Sequence, residues 1–156
     1  MKILILSHYF PPEVNAPAKR IFEHSKIFAE SKNEVTVITN FPNHPRGEIF
    51  DGYKNKWSSK KIIKKIKVIR VFTFLTPNRG IIKRTINYLL YMILSIFHGM
   101  KENDVDIIIS TSPQLLCGLA GATLSKLKKK PHVFEIRDIW PSSIAAVGLI
   151  KKNNII

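Results

Sequence analysis

Ile3-Leu4-Ile5-Leu6, then residues 17–31, then Val35-Thr36-Val37-Ile38-Thr39: this succession decides the fold class. The first run is short, continuous and apolar, as a buried strand is. Residues 17–31 place Ala18, Ile21, Phe22, Phe28 and Ala29 on one helical face, with Lys19, Glu23, Lys26 and Glu30 elsewhere. The third run is β-branched and again of strand length. Strand, helix, strand is a βαβ unit, which implies a parallel sheet.

The pattern repeats outward from this unit. Residues 40–58, rich in Pro, Asn and Gly, read as a long loop. A basic stretch from Lys60 to Lys67 leads to a third strand over 68–72. A helix is expected at 82–99, a fourth strand at 106–110, a helix at 113–129 and a fifth strand at 133–136. A short helical segment is expected at 139–150. The expected fold is α/β: a Rossmann-like parallel sheet with helices on both faces. No repeat, low-complexity tract or internal linker interrupts it, so residues 1–150 read as one domain.

The 156 residues are 45% hydrophobic, which fits a globular chain. Lys and Arg total 25 against 11 acidic residues, a formal charge of +14. Such an excess favours polyanions: nucleic acid, anionic lipid head groups or phosphorylated substrates. A nucleic-acid binder should interleave its basic residues with exposed aromatics on one face, whereas these aromatics fall in strands, apolar helix faces and proline loops. The single cysteine, Cys117, allows no internal disulfide and reads as a small buried hydrophobe. The apolar run that opens the chain stops at Ser7-His8, too soon for a signal peptide or a span, and a cytoplasmic location is expected.

Ligands of an open parallel sheet bind beyond the carboxyl ends of its strands, which nominates the loops at 7–17, 40–58, 110–114 and 137–142. A dinucleotide-binding turn needs Gly-x-Gly-x-x-Gly in the first of them, and none of the seven glycines lies there. An NAD or FAD dehydrogenase is thereby disfavoured. Instead Asn15, Ala16 and Ala18 are small enough for a phosphate to approach a helix N-terminus, with Lys19 and Arg20 adding charge. The alternative is a simple capped helix, with Asn15 or Ala16 near the cap and Pro17 in the first turn. Ser110-Thr111-Ser112-Pro113 could offer hydroxyls to a sugar or cap a helix beginning at Pro113. Glu135, inside an apolar strand, requires a partner, which Arg137 or the preceding loops could supply. Arg137 and Asp138 are a cleft pair or a structural ion pair.

Other patterns carry less. Asp104-Val105-Asp106 looks like a metal-binding pair but precedes its strand, at the amino edge of the sheet. Gly118-Leu119-Ala120-Gly121-Ala122 lies inside a helix, where small residues let the helix approach the sheet. The five histidines show no metal-ligand spacing, so no metal site is expected.

Taken together, the loops resemble glycosyltransferase family 4. The resemblance rests on Tyr9-Phe10-Pro11-Pro12-Glu13, Asn15-Ala16-Pro17-Ala18-x-Arg20, Asn40-Phe41-Pro42-Asn43-His44-Pro45-x-Gly47 and Thr76-Pro77-Asn78-Arg79-Gly80. Ser110-Thr111-Ser112-Pro113-Gln114 and Phe134-Glu135-x-Arg137-Asp138-x-Trp140-Pro141-x-Ser143 complete it. It covers residues 1–150 and is nearest the bacterial branch that builds O-antigen (lipopolysaccharide) and capsule, including fucosamine transferases.

The resemblance implies the N-terminal, acceptor-side half of a GT-B fold. Residues 151–156 would begin the connection to a C-terminal domain that binds the nucleotide sugar. It implies a retaining reaction, usually without a metal, a nucleotide sugar as co-substrate and a lipid-linked saccharide acceptor; no nucleic acid is expected as a partner. The residues it nominates are Asn15, Ala16, Lys19 and Arg20 for donor-phosphate approach, Asn43, His44 and Ser112 for the acceptor, and Arg137 and Asp138 as catalytic. Two positions depart from the wider family: Asn15-Ala16 replaces Gly-Gly, and Arg137 replaces a His. Arg137 cannot act as a general base but can stabilise leaving-group charge. Alone, the chain is expected to transfer sugar hardly at all. A rival reading is a non-catalytic module for anionic membrane or polysaccharide.

Residues 86–97 are nearly apolar all round yet too short to span a bilayer. They form either a helix buried between sheet and neighbours or one partly immersed at the inner face of the cytoplasmic membrane, assisted by Lys83, Arg84 and the Lys60–Lys67 stretch.

Overall fold

Leu4, Ile5 and Leu6 are wholly buried because strand β1 (Lys2–Leu6) runs through the middle of a six-stranded sheet. The structure, a computed structural model, describes residues 1–76 and 81–137. Along the chain come α1 (Ala16–Glu30), β2 (Glu34–Asn40), β3 (Ser58–Ile63), β4 (Ile66–Val71), α2 (Ile81–Met100), β5 (Ile107–Thr111), α3 (Leu115–Lys128) and β6 (His132–Glu135). The sheet order is β3-β4-β2-β1-β5-β6, with every pair parallel except β3 and β4.

The side-chain alternation of the strands divides the core in two. Ile3, Ile5, Val35, Val37 and Val68 meet Ile21 and Ala29 of α1 on one face. Leu4, Leu6, Ile38, Ile69 and Ile108 meet Tyr91 and Leu94 of α2 and Cys117, Ala120 and Leu124 of α3 on the other. Helices thus cover both faces, as the βαβ reading expects. Buried Cys117 directs Sγ to the Leu6 carbonyl at 3.3 Å, and burial raises its pKa to about 11, so it is inert as a nucleophile.

Part of the expected loop 40–58 and the basic stretch after it are in fact strand β3. It pairs antiparallel with β4 through a turn at Lys64 and Lys65, both left-handed at φ 48° and 66°. Two left-handed residues are the geometry of the tightest hairpins. β3 is an edge strand: Lys60, Lys61 and Ile62 are exposed. Lysines along an edge discourage further strand pairing, and they also remove the apolar alternation by which a strand is read.

The glycines of α3 act as spacers, as expected. A Cβ on Gly118 would lie 2.7 Å from the Phe134 ring, and one on Gly121 would lie 2.8 Å from Ser110 Oγ and collide with His132 Nε2. Gly99 of α2 abuts Leu124 in the same way, at 2.6 Å. Asp106 Oδ2 accepts from the Lys2 backbone N–H at 2.7 Å, and Asp104 pairs with the Lys2 ammonium at 3.3 Å. This acidic pair therefore ties β1 to β5 at the amino edge, far from the ligand rim.

α2 buries only one face, carrying Asn87, Tyr91, Leu94, Ser95, His98 and Gly99. Its opposite face is exposed and apolar, so the helix is not enclosed between sheet and neighbours. No helix among the described residues is long and apolar enough to cross a membrane.

Candidate functional site

The sheet order places a topological switch between β1 and β5: the chain leaves β1 for β2 and β4 on one side and returns through α2 to β5 on the other. The crevice of such a sheet opens beyond the carboxyl ends of these two strands. Tyr9, after β1, comes near the Gln114 side chain, after β5, across that crevice. Its ring also meets His44 edge-on at 5.2 Å.

The walls are made by loops held unusually firmly. Glu13 is buried and aims its carboxylate back into its own molecule. Oε1 accepts from the backbone N–H groups of Asn43 (3.1 Å) and His44 (3.0 Å), and Oε2 from that of Phe10 (3.4 Å). Burial raises its pKa, only partly offset by these N–H groups and by the nearby Arg70. Arg70, buried in β4, donates to the Asn40 carbonyl at 2.9 Å and to the Pro11 carbonyl, and its guanidinium lies over the Tyr53 ring at 5.1 Å. Glu13 and Arg70 thus fasten the first loop, the 40–58 loop and β4 to one another. Sequence reasoning passed over both. Arg70 carried a signal, since a charge between Ile69 and Val71 in a buried strand needs partners as much as Glu135 does.

Inside the wall is a small cavity of about 20 Å³ lined by His8, Tyr9, Asn43, His44, Arg84, Asn87 and Tyr88, among others. His8 is surrounded edge-on by Tyr9, Tyr88 and Tyr91 at 4.9–5.1 Å and contacts Asn40 Nδ2. Burial, aided by His44, lowers its pKa to about 3, so it stays neutral. The carboxamide oxygens of Asn40 and Asn87 are buried without hydrogen-bond partners among the described residues. Burial also lowers the pKa of His44, keeping its partly exposed imidazole neutral at the cavity edge. Outside, the 40–58 loop shapes a broader recess of about 520 Å³ between Pro12, Pro45, Arg46, Phe50, Asp51 and Tyr53.

The nominated residues fall into three groups. Asn43 and His44 belong to the cavity, although the Asn43 side chain is turned to the Phe41 carbonyl at 2.8 Å. Ser112 and Arg137 form a second group: Ser112 Oγ accepts from the Arg137 backbone N–H at 2.8 Å. The Arg137 side chain is 8% exposed and pairs with Glu135 at 3.2 Å, as its place in the sequence suggests. Burial alone would raise the Glu135 pKa, but the hydrogen bond and charge of Arg137 prevail and lower it. Arg137 Nε is buried without a partner among the described residues.

The third group is Asn15, Ala16, Lys19 and Arg20 at the start of α1. Asn15 is the N-cap, its Oδ1 accepting from the Ala18 N–H at 2.9 Å, with Pro17 in the first turn. These four residues line neither recess. Asp138 lies outside the described residues.

One expectation is corrected. The Ser110-to-Pro113 hydroxyls do not cap α3, which begins at Leu115 after Gln114 with no side-chain cap bond. Ser110 Oγ instead meets His132 Nε2 at 2.7 Å, Ser112 serves Arg137, and Thr111 donates to the Ser112 carbonyl at 3.1 Å. Through Ser110 and Ser112, β5 is stitched to β6 and to the backbone at Arg137. Among the described residues no group of three His, Cys, Asp or Glu is placed to hold a metal ion.

No protein-family model matches the chain. It is similar to WcaI of Escherichia coli (strain K12), a protein assigned as a colanic acid biosynthesis glycosyl transferase, with 27% identity over 154 residues. The match takes in 97% of this chain and 38% of that protein, so the chain spans well under half the length of the curated relative. Among solved structures, the C-terminal domain (residues 78–226) of PF1911 hydrogenase from Pyrococcus furiosus superposes with a TM-score of 0.54 at 16% identity, covering 86% of this chain and 89% of that domain. At that identity the likeness concerns the α/β fold alone.

Proposed function

We propose that the chain is the acceptor-side half of a retaining, nucleotide-sugar-dependent glycosyltransferase of the GT-B architecture, acting in cell-surface polysaccharide assembly. The observation that carries the reading is the relationship to WcaI, which extends over 97% of the chain rather than over one motif. The neutral imidazole, carboxamide and guanidinium groups at the β1/β5 switch, beside an open recess of about 520 Å³, support it. Such a lining suits the hydroxyls and phosphates of a saccharide carried on a lipid pyrophosphate.

In this reading the partly exposed His44 and the exposed Arg84 meet the acceptor. Arg137, its side chain paired with Glu135 and its backbone N–H bonded to Ser112, would stabilise the charge of the leaving group. Ala16, Lys19 and Arg20 face a donor phosphate brought by a second lobe, and no metal takes part. O-antigen or capsule is the product class.

Saturation-transfer NMR on the chain tests this with two ligands: a short-chain pyrophosphate-linked saccharide and a panel of nucleotide sugars. Binding of the former, weakened at least tenfold by Arg84→Ala, is expected. Binding of nucleotide sugars with none of the acceptor analogue would sink the proposal.

A further inference from the structure

The exposed face of α2 is apolar, whereas its buried face mixes Tyr91 and Leu94 with Asn87, Ser95 and His98. Ile82 (77% exposed), Ile86, Leu89, Ile93 (58%), Phe97 and Met100 recur at helical spacing and form one outward stripe, directly opposite the buried face. At 1.5 Å per residue the stripe runs about 27 Å along the surface. A continuous exposed apolar stripe of this length marks a contact surface.

Its surroundings state what kind of contact. Between residues 81 and 101 there is no acidic residue. Lys83 and Arg84 stand exposed at one end of the stripe and Lys101 at the other, the last with its ammonium 4.0 Å from the centre of the Phe97 ring. Trp57, 61% exposed, meets the same ring at 6.1 Å. Beyond it lies edge strand β3. Ile63 packs in the α1-side core, so the pleat turns Ile62 and Lys60 toward the α2 side, where both are exposed.

We propose that this face of α2, with Trp57 and the cations around it, docks on the surface of an anionic lipid bilayer. The helix would lie in the interfacial plane, its stripe among the upper acyl chains, the indole at head-group depth and the lysines on lipid phosphates. A protein partner would be marked differently, because interfaces between proteins are depleted in lysine, whereas here lysine rims the stripe at both ends and along one flank. The opposite side of the same helix carries Asn87 and Tyr88 of the cavity, so docking would hold the crevice beside the membrane. This inference does not depend on the transferase reading.

Co-sedimentation of the full chain with vesicles tests it. Vesicles of phosphatidylcholine with about one-third phosphatidylglycerol should pellet the protein, with binding roughly tenfold weaker on phosphatidylcholine alone or in about 0.5 M salt. Ile86→Glu with Ile93→Glu should abolish binding while leaving the circular dichroism spectrum unchanged. Lys60→Gln with Lys83→Gln should weaken it roughly tenfold without touching the apolar stripe. Failure to pellet with either vesicle would overturn the proposal, as would undiminished binding by the Ile86/Ile93 variant. Concentration-dependent self-association lost in that variant, without vesicle binding, would assign the stripe to a second copy of the chain instead.

Discussion

Glu13 shows how a single side chain can organise a rim. Its carboxylate takes three backbone N–H groups from two loops that are otherwise free of secondary structure. Glu13→Gln keeps the volume but turns an amide toward donors that need an acceptor, and should cost about 1–3 kcal/mol in urea unfolding. His8 supplies the pH dependence. Its folded pKa, about 3, lies below the ordinary value of 6.5, so the unfolded chain binds the extra proton between those limits. Stability should therefore fall as pH drops below 6.5, by on the order of 2 kcal/mol at pH 5, and His8→Gln should flatten the slope. Denaturation midpoints at several pH values would read this directly. The Glu135 partner and the α1 cap were legible as one of two candidates each, Arg137 or the preceding loops and Asn15 or Ala16, because each rests on neighbours a few residues away. Glu13 was not, since two of its three partners, Asn43 and His44, lie about thirty positions downstream.

At the scale of elements, the central strands and the three helices among the described residues could be read from apolar runs and periodicity, to within two residues at their ends; the segment expected at 139–150 lies outside the described residues. They are the elements whose burial forces the apolar pattern. β3 escaped because an edge strand needs no apolar face and its turn uses two lysines instead of Asn-Gly. That same polarity protects it: Lys60→Val with Lys61→Val should promote aggregation, visible as light scattering on warming. α3 makes the opposite demand. Gly118→Ala pushes a methyl onto the Phe134 ring and should destabilise by about 1–3 kcal/mol, despite alanine's better helix propensity. Gly52→Ala meets no neighbour within 4 Å and suffers only from its positive φ, at about 1–2 kcal/mol.

For the molecule as a whole, α2 joins regions that the sheet keeps apart. One end lies at the crevice, the other at the amino edge, and the two are held unequally. At the far end Lys128 Nζ donates to the carbonyls of Met100 (3.2 Å) and Glu102 (2.7 Å), and Lys67 pairs with Glu102 at 2.5 Å. Near the middle the Tyr91 hydroxyl reaches the Ile38 carbonyl at 2.9 Å. At the crevice end every residue from 81 to 86 is exposed. Amide exchange should accordingly be slow from 91 to 98 and fast from 84 to 86, a gradient that mass spectrometry can resolve. The helix behaves as a cantilever clamped at its root. A load on its exposed end should reach Arg84 and Tyr88 first, and the His8 ring against Tyr88 next.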